Sequence, residues 1–275
     1  MKGGFVGALC LVWCCAGYPT HAADITMPGQ PPPAPPAAIT APAPAYNWYG
    51  FFIGGHLGHG WGSGGVELTP DSNYTGTFGG AAFPTVIAAD PKGWEGGIQY
   101  GSNWQFEHIV LGTESDFSFT GIDRSQTIIT NVTVPIANTG EQRLPWLGTT
   151  RVRGGYVVQD NILLYGTAGL ANGRAETSFS ALESPGACPG SPCARASEKK
   201  NLWGWTVGGG AEYGAGPWSA KIEFLHYDLG TLTIHTVDPT MKGSIAAATK
   251  FAGNIVRAGV NDRFNWTPWE LIFGR

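Results

Sequence analysis

Two histidines three residues apart lie in the glycine-rich stretch WYGFFIGGHLGHGWG, which runs from Trp48 to Gly62. Such a stretch could bind a phosphate through a glycine-rich turn or a metal ion through an H-x-x-H pair. A phosphate-binding turn opens a helix, and no helical pattern follows Gly62. In a strand, His56 and His59 point to opposite faces and cannot hold one metal ion together. The stretch therefore predicts a strand, with neither a metal site nor a cofactor site.

The other histidines give no catalytic constellation either. His108, His226 and His235 are scattered over strands and strand ends, and the chain has no Gly-x-Ser-x-Gly, no His-Glu-x-x-His and no Walker motif. An enzyme is the weaker alternative, because spacing alone pairs no nucleophile with a base. We predict that the protein is not an enzyme and has no catalytic residue and no cofactor.

Composition and the amino terminus indicate an exported protein. Only 13% of the residues are charged and the formal net charge is −4, which argues against nucleic acid as a partner. Residues 1–22 combine a basic start, an apolar run and a small-residue end, so we predict a secretory signal peptide. Residues 23–46 are rich in proline and alanine and predict an extended periplasmic linker.

Two cysteines lie beyond the signal peptide, in the segment ACPGSPC. An even pair of cysteines in an exported chain is typical of a disulfide, and no histidine or third cysteine lies nearby to complete a metal site. The prolines between Cys188 and Cys193 favour a turn that brings the two sulfurs together. We predict a small loop closed by this disulfide.

Eight segments with alternating apolar residues, glycines and aromatics follow the linker. They cover 48–62, 93–106, 109–122, 144–157, 162–179, 201–214, 218–235 and 251–264. Every second connection is long and polar, namely 63–92, 123–143, 180–200 and 236–250. An even number of strands with tight turns at one end and long loops at the other is typical of an outer-membrane barrel. The predicted fold is all-β, an eight-stranded antiparallel up-and-down transmembrane β-barrel over residues 47–264.

Alternation within these segments separates an apolar face from a charged face. In the fourth segment, Val152 and Tyr156 share one face and Arg151 and Arg153 share the other. A soluble barrel would put such charges in water, whereas a balanced set of acids and bases can pair inside a lumen and limit its desolvation cost. The predicted lumen ion pairs involve Glu95, Glu114, Asp116, Arg151, Arg153, Glu212, Lys221, Glu223, Arg257 and Arg263.

The tryptophans give a further indication of a membrane. Lipid selects aromatic side chains at both of its interfaces with water. With both termini in the periplasm, the barrel tryptophans fall near one end or the other of their segments. The predicted aromatic girdle comprises Trp48, Trp61, Trp94, Trp104, Trp146, Trp203, Trp205 and Trp218.

The segments YNWYGFFIGGHLGHGWG, GGIQYGSNWQ, RVRGGYV, WGWTVGGGAEYG and WSAKIEFLHYDLG resemble, in order, the strands of the small porin-like outer-membrane barrels of alphaproteobacteria, the OmpA-like surface antigens. The resemblance covers about residues 46–264. It implies residence in the bacterial outer membrane, outer loops exposed at the cell surface and no shared catalytic residues. The expected partners are outer-membrane lipid with lipopolysaccharide, the barrel-insertion machinery and a surface ligand on the long loops.

The carboxyl terminus departs from that family. Such barrels end on an aromatic residue that the insertion machinery reads, whereas Phe264 is followed by NWTPWELIFGR, a C-terminal extension over 265–275. Because a lumen of eight strands is just wide enough to be filled by side chains, we expect a closed barrel with structural and surface-contact roles. The alternatives are a narrow porin for small solutes, or binding of a haem-like ligand or a host surface through the outer loops.

Overall fold

A computed structural model describes residues 46–62, 64–72, 85–131, 135–183, 194–237 and 243–264. Their strands are β1 (Gly50–Gly62), β2 (Gly64–Pro70), β3 (Val86–Ala89), β4 (Lys92–Phe106), β5 (Ile109–Asn131), β6 (Pro135–Gln159), β7 (Ile162–Glu183), β8 (Ala194–Ala215), β9 (Trp218–Val237) and β10 (Ser244–Phe264). No helix among these residues is long and apolar enough to cross a membrane. The predicted signal peptide, the linker up to residue 45, both cysteines of the predicted disulfide and residues 265–275 lie outside the described residues.

Antiparallel pairing joins eight of these strands into a closed ring. The order is β1-β4-β5-β6-β7-β8-β9-β10, and β10 returns to β1 with Phe51 opposite Phe264 and Gly62 opposite Gly253. The β2–β3 hairpin is added beside the first part of β10. A closed ring has no sheet edge to expose to hydrocarbon, which is the condition that lipid imposes on strands. The predicted eight-stranded up-and-down barrel is confirmed.

The two ends of the ring differ in how the strands are joined. At one end, tight turns follow β4, β6 and β8, and they contain Glu107, Asp160 and Gly216 at positive φ values of 53°, 24° and 61°. Outer-membrane barrels have short periplasmic turns and longer extracellular connections. We therefore call the end with these turns the inner end and the opposite end the outer end.

Strands occupy most of the segments that were predicted as long polar loops. Pairing of β5 with β6 reaches Asn131 opposite Pro135, and pairing of β7 with β8 reaches Ala181 opposite Ala194. The loop prediction was wrong because beyond the membrane the outward side chains are polar, so the alternation no longer shows the apolar outer face of a membrane strand. We call this part the outer extension; it comprises 64–70, 86–89, 123–131, 135–143, 175–183, 194–200, 231–237 and 244–250.

The wall of the outer extension divides between β8 and β9. Their pairing runs from Ala215 opposite Trp218 to Trp205 opposite Asp228 and stops there, although both strands continue outward. At this point Gly230 adopts a φ of 85°, and its backbone N–H donates to Asp228 Oδ1 at 2.8 Å. Glycine tolerates this left-handed conformation at no steric cost. The bend separates β9 from β8 and shifts the inward alternation of β9 by one residue.

Beyond this division the outer extension consists of two sheets. One contains β5 to β8 and the other contains β9, β10, β2 and β3. Their inward side chains meet in a single apolar cluster of Val66, Leu68, Ile87, Phe179, Ala181, Ala194, Ile234, Ile245 and Ala247. Burial of these side chains closes the outer end of the barrel with a small hydrophobic core.

Candidate functional site

The outer surface of the ring is apolar, the inverse of a soluble barrel. Val152, for example, is 64% exposed while its neighbours Arg151 and Arg153 are buried. The large exposed side chains of this belt include Ile53, Leu57, Ile98, Tyr100, Leu111, Phe117, Tyr156, Leu164, Leu170, Val207, Tyr213, Ile222, Phe224, Val256 and Val260. Outward apolar and inward polar residues in strict alternation are what a lipid environment selects on barrel strands.

Most of the predicted girdle tryptophans lie on this outer surface. Trp61, Trp94, Trp104, Trp203, Trp205 and Trp218 are exposed. Trp146 is half-buried and stacks on Phe117, with ring centroids 5.5 Å apart.

The girdle prediction for Trp48 was wrong. Trp48 is 1% exposed and lies inside the barrel, with its ring edge-on to Tyr46 at 4.5 Å between centroids. Trp48 is an even number of residues from the inward-facing Phe52 and His56, so the alternation of β1 carried back past Gly50 places it inside; the girdle prediction used only its position near the strand end. The chain before β1 therefore turns into the lumen and closes its inner end.

The lumen of the ring holds buried charges. The buried acids are Glu95, Glu114, Asp116, Glu212 and Glu223, and the buried bases are Arg151, Arg153, Lys221 and Arg257. Nine of the ten residues predicted to form lumen ion pairs are thus enclosed by the wall. Opposite charges already face each other across neighbouring strands, with Arg151 opposite Glu114 and Arg257 opposite Glu223.

Arg151 lies at the centre of this charged cluster. Its Nη2 is 2.6 Å from Glu114 Oε1 and 2.8 Å from Asp116 Oδ2, and its Nη1 is 3.0 Å from Glu223 Oε1. Arg257 Nη2 contacts the same three acids, at 3.5 Å from Glu114 Oε1, 3.0 Å from Asp116 Oδ2 and 2.7 Å from Glu223 Oε2. The arginines therefore tie β6 and β10 to acids on β5 and β9 across the lumen, and charge-assisted bonds of this kind are the strong ones.

A second part of the charged cluster lies nearer the inner end. Arg153 Nη2 is 2.5 Å from Glu212 Oε2, and the Arg153 guanidinium lies 4.1 Å from the ring centroid of Tyr165. Ser219 Oγ donates to Glu212 Oε1 at 2.5 Å, and Asn261 Nδ2 donates to the same oxygen at 3.0 Å. Hydrogen bonds to the remaining lone pairs are what make buried ions tolerable.

Small residues in the wall make room for these long side chains. A Cβ on Gly58 would lie 2.5 Å from Glu95 Oε1 and 2.6 Å from Arg257 Cβ. A Cβ on Gly210 would lie 2.9 Å from the hydroxyl oxygen of Tyr165. Glycines that suggested a phosphate-binding turn in the sequence are therefore thin parts of the wall opposite charged side chains.

His56 joins the charged cluster, although sequence reasoning assigned it no role. Its Nε2 lies 3.3 Å from Glu95 Oε2, 2.8 Å from Ser118 Oγ and 3.5 Å from Arg257 Nη1. Glu95 has no hydrogen-bond partner among the described residues. The alternation of β1 places His56 on the lumen face, and this pattern in the sequence could have identified it. Apart from His56, the charged cluster contains five acids and four bases.

The prediction that Arg263 forms a lumen ion pair was wrong. Arg263 is half-buried at the inner end, and its guanidinium lies 4.0 Å from the ring centroid of Tyr46. No acid of the described residues lies within ion-pair distance of it. Tyr46 comes from the segment before β1, and it covers the inward-facing guanidinium near the last turn of the wall.

Apolar layers bracket the charged cluster on both sides, which the sequence reasoning missed. The inner layer contains Tyr46, Trp48, Val110, Val157, Leu163 and Tyr165. The outer layer contains Ile122, Leu144, Leu147, Ala171, Ala175, Leu225, Tyr227, Leu229, Leu232, Phe251 and Ile255. The sequence of β9 could have predicted the outer layer, because Leu225, Tyr227 and Leu229 continue the inward alternation of Lys221 and Glu223.

Ser118, His56 and Glu95 lie close together, and a serine, a histidine and an acid are the residue types of a hydrolytic triad. In a triad one imidazole nitrogen faces the nucleophile and the other faces the acid. Here both contacts use Nε2 of His56, and all three side chains are buried inside the lumen. No group of three potential metal ligands occurs among the described residues. The geometry fits a structural cluster better than a reacting one.

Comparison with known proteins identifies the family to which the chain is similar. The family model for the outer membrane protein beta-barrel domain matches residues 34–264. The chain is 31% identical over 232 residues to the 31 kDa outer-membrane immunogenic protein of Brucella melitensis, covering 84% of this chain and 89% of that protein. It is 31% identical over 169 residues to the 22 kDa outer membrane protein of Rhizobium leguminosarum, covering 62% and 58% of the two chains. The solved outer membrane protein OprG of Pseudomonas aeruginosa matches with a TM-score of 0.46 at 10% identity, over 79% of this chain and 97% of that one.

Proposed function

Because the chain belongs to the outer membrane protein beta-barrel family and lies in the bacterial outer membrane, we propose that it is a structural barrel with a closed lumen. In this role it supports the integrity of the envelope and presents its outer extension as a contact surface at the cell exterior. It performs no catalysis. The observation that carries the proposal is the charged cluster sealed between two apolar layers.

The burial of the charged cluster supports a closed lumen. The side chains of Arg151 and Glu223 are 0% exposed, and that of Glu114 is 1% exposed. A solute would have to separate these paired ions, and breaking a buried pair by removal of one partner costs about 3–5 kcal/mol. It would also have to part the apolar layers on either side, where water has no polar partners.

Single-channel conductance of the purified barrel in a planar bilayer tests this proposal. We expect no steady openings from the native protein. A variant that combines Arg151→Ala with Arg257→Ala leaves both apolar layers in place, so we expect it to show no steady openings either, as for Arg174→Ala on the outer surface. Steady openings of defined size in the native protein would overturn the closed lumen.

The alternative is a narrow porin that passes small cations. It is favoured by Glu95, a buried carboxylate that forms no hydrogen bond with the described residues and lies 3.3 Å from His56 Nε2. A fixed negative charge of this kind is what a cation pathway uses. If native openings were cation-selective and Glu95→Gln abolished the selectivity, this alternative would replace the closed barrel.

We further propose several features that the sequence predicts. They are cleavage of residues 1–22, a periplasmic linker over 23–46, a disulfide between Cys188 and Cys193, and contact of the barrel with the insertion machinery. Lipid of the outer membrane is the further proposed partner, with lipopolysaccharide on its outer side. The exposed apolar belt supports this contact, because such side chains require an apolar solvent.

A further inference from the structure

A group of exposed cations lies on three adjacent strands just beyond the girdle tryptophans of the outer end. Arg143 precedes Trp146 by three residues on β6, and Lys199 precedes Trp203 by four residues on β8. Three to four residues of strand span about 10–13 Å. Arg174 on β7 completes the group, which we call the basic row. Its members therefore stand at the depth where the headgroups of the outer leaflet begin.

One acid organises the basic row. Glu176 lies directly opposite Arg143 on one side and Lys199 on the other. Its Oε1 is 3.2 Å from Arg174 Nε, and its Oε2 is 3.2 Å from Lys199 Nζ. Glu176 is only 15% exposed in its side chain, whereas Arg174 and Lys199 are 45% and 58% exposed. Glu176 thus pairs with Arg174 and Lys199 and lies opposite Arg143, so one largely covered carboxylate has three cations around it.

The guanidinium of Arg174 is oriented for a further ligand. Its bond to Glu176 uses Nε, and the structure records no partner for its two Nη groups among the described residues. Terminal guanidinium nitrogens form a planar fork that matches a phosphate. Arg174 therefore presents its donor edge outward while its orientation is fixed by Glu176.

A shallow polar pocket of about 180 Å³ adjoins the basic row on the side away from the membrane. Arg143, Glu176 and Lys199 line it together with Glu141, Thr177, Ser178, Ser197 and Glu198. Ser178 Oγ donates to Glu141 Oε2 at 3.1 Å. The pocket therefore offers cations near the membrane and, farther out, carboxylates and hydroxyls that can accept hydrogen bonds from sugar hydroxyls.

We infer that the basic row and this pocket bind the phosphorylated sugar headgroup of lipopolysaccharide. Phosphate oxygens contact Arg143, Arg174 and Lys199, and sugar hydroxyls donate to Glu141. A glycerophospholipid supplies the phosphate without a sugar ring, so the acids of the pocket favour the glycolipid. The inference rests on the proposed contact with lipopolysaccharide and is independent of whether the lumen conducts.

Binding of lipid A to the folded, detergent-purified protein tests the inference. The probes are bisphosphorylated lipid A, monophosphorylated lipid A and phosphatidylglycerol. The test variant combines Arg143→Gln, Arg174→Gln and Lys199→Gln. The matched control combines Lys92→Gln, Arg195→Gln and Lys250→Gln, which removes the same number of exposed cations from other parts of the surface. Heat-modifiable gel mobility confirms that each variant is folded.

We expect the test variant to bind bisphosphorylated lipid A at least about tenfold more weakly than the native protein, because it loses several charge-assisted hydrogen bonds. The control should stay within about twofold, and monophosphorylated lipid A should bind the native protein more weakly. Equal binding by the test variant and the control would overturn the inference, as would equal affinity of the native protein for phosphatidylglycerol. Should the test variant not fold, Arg174→Gln alone is expected to lose about threefold or more, and an unchanged affinity would overturn the inference.

Discussion

The lumen of the ring and the interior of the outer extension are closed by the same strands in opposite ways. Between the two rows of girdle aromatics, the inward side chains form a charged cluster with an apolar layer on each side, and the outward side chains are apolar. In the outer extension, inward side chains such as Phe179 and Ile234 are apolar, while outward ones such as Arg143 and Lys199 are charged. The alternation has the same period in both regions. The solvent outside the wall changes from lipid to water, and the side chains inside change with it.

The two interiors should also respond differently to substitution. Removing one member of a buried ion network leaves its partners unpaired, so the cost is large and depends on charge. Removing apolar atoms from a core costs free energy in proportion to the area and the cavity, so the effect is graded. The following experiments use this difference.

The largest effect is expected from Arg151→Ala in the lumen. This change takes from Glu114, Asp116 and Glu223 one of the two arginines that they share, and we expect a loss of about 3–5 kcal/mol in the free energy of unfolding. Urea unfolding of the barrel in lipid vesicles measures it. Val152→Ala, the neighbour on the lipid face, is the control and should cost far less. Similar losses at both positions would show that the charged cluster contributes little.

A smaller effect is expected from Ile234→Ala in the outer extension. Ile234 is buried among apolar side chains, and the substitution should cost about 2–4 kcal/mol. Because this core lies outside the ring, the loss should appear as faster proteolysis of the outer extension while the heat-modifiable mobility of the ring is kept. Joint loss of both signals would mean that the two regions unfold as one unit.

Gly230→Ala tests the bend that separates the two regions. A Cβ at a φ of 85° is strained whatever the space around it, so we expect a loss of about 1 kcal/mol. Gly121→Ala serves as the control, because Gly121 has no positive φ and its Cβ would meet only the Trp94 carbonyl at 3.7 Å. Equal stability of both variants would mean that the bend at Gly230 is not strained by a side chain.

The smallest effect is expected from Lys199→Ala on the outer surface. The ion pair of Lys199 with Glu176 is exposed and screened by salt, so its loss should change the unfolding free energy by less than about 0.5 kcal/mol. Urea unfolding at low and high salt measures this change. If Lys199→Ala lowered the unfolding free energy as much as Arg151→Ala, enclosed and exposed ion pairs would contribute equally to stability, contrary to this prediction.

The ring could be predicted from the sequence because period-two alternation persists along each membrane strand. Prediction failed where position along the strand was used without the face: Trp48 shares the inward face of Phe52 although it was assigned to the girdle. The inward-facing Arg263 meets Tyr46 and no acid of the described residues. The strands of the outer extension escaped prediction because their outward residues resemble those of polar loops. Contacts across the lumen, such as Arg151 with Glu223, cannot be read from the sequence, since β6 and β9 are not neighbours in the sheet.

The pairing of β1 with β10 joins the first and the last strand of the described chain. Phe51 faces Phe264, so the seam connects residues from nearly opposite ends of the barrel sequence. Such a contact has the highest cost in chain entropy and is slow to form. The wall can therefore be completed only after β10 has been delivered, and a chain stalled before that step exposes two unpaired sheet edges. Because β10 is synthesised last, the ring can close only when all eight of its strands are present.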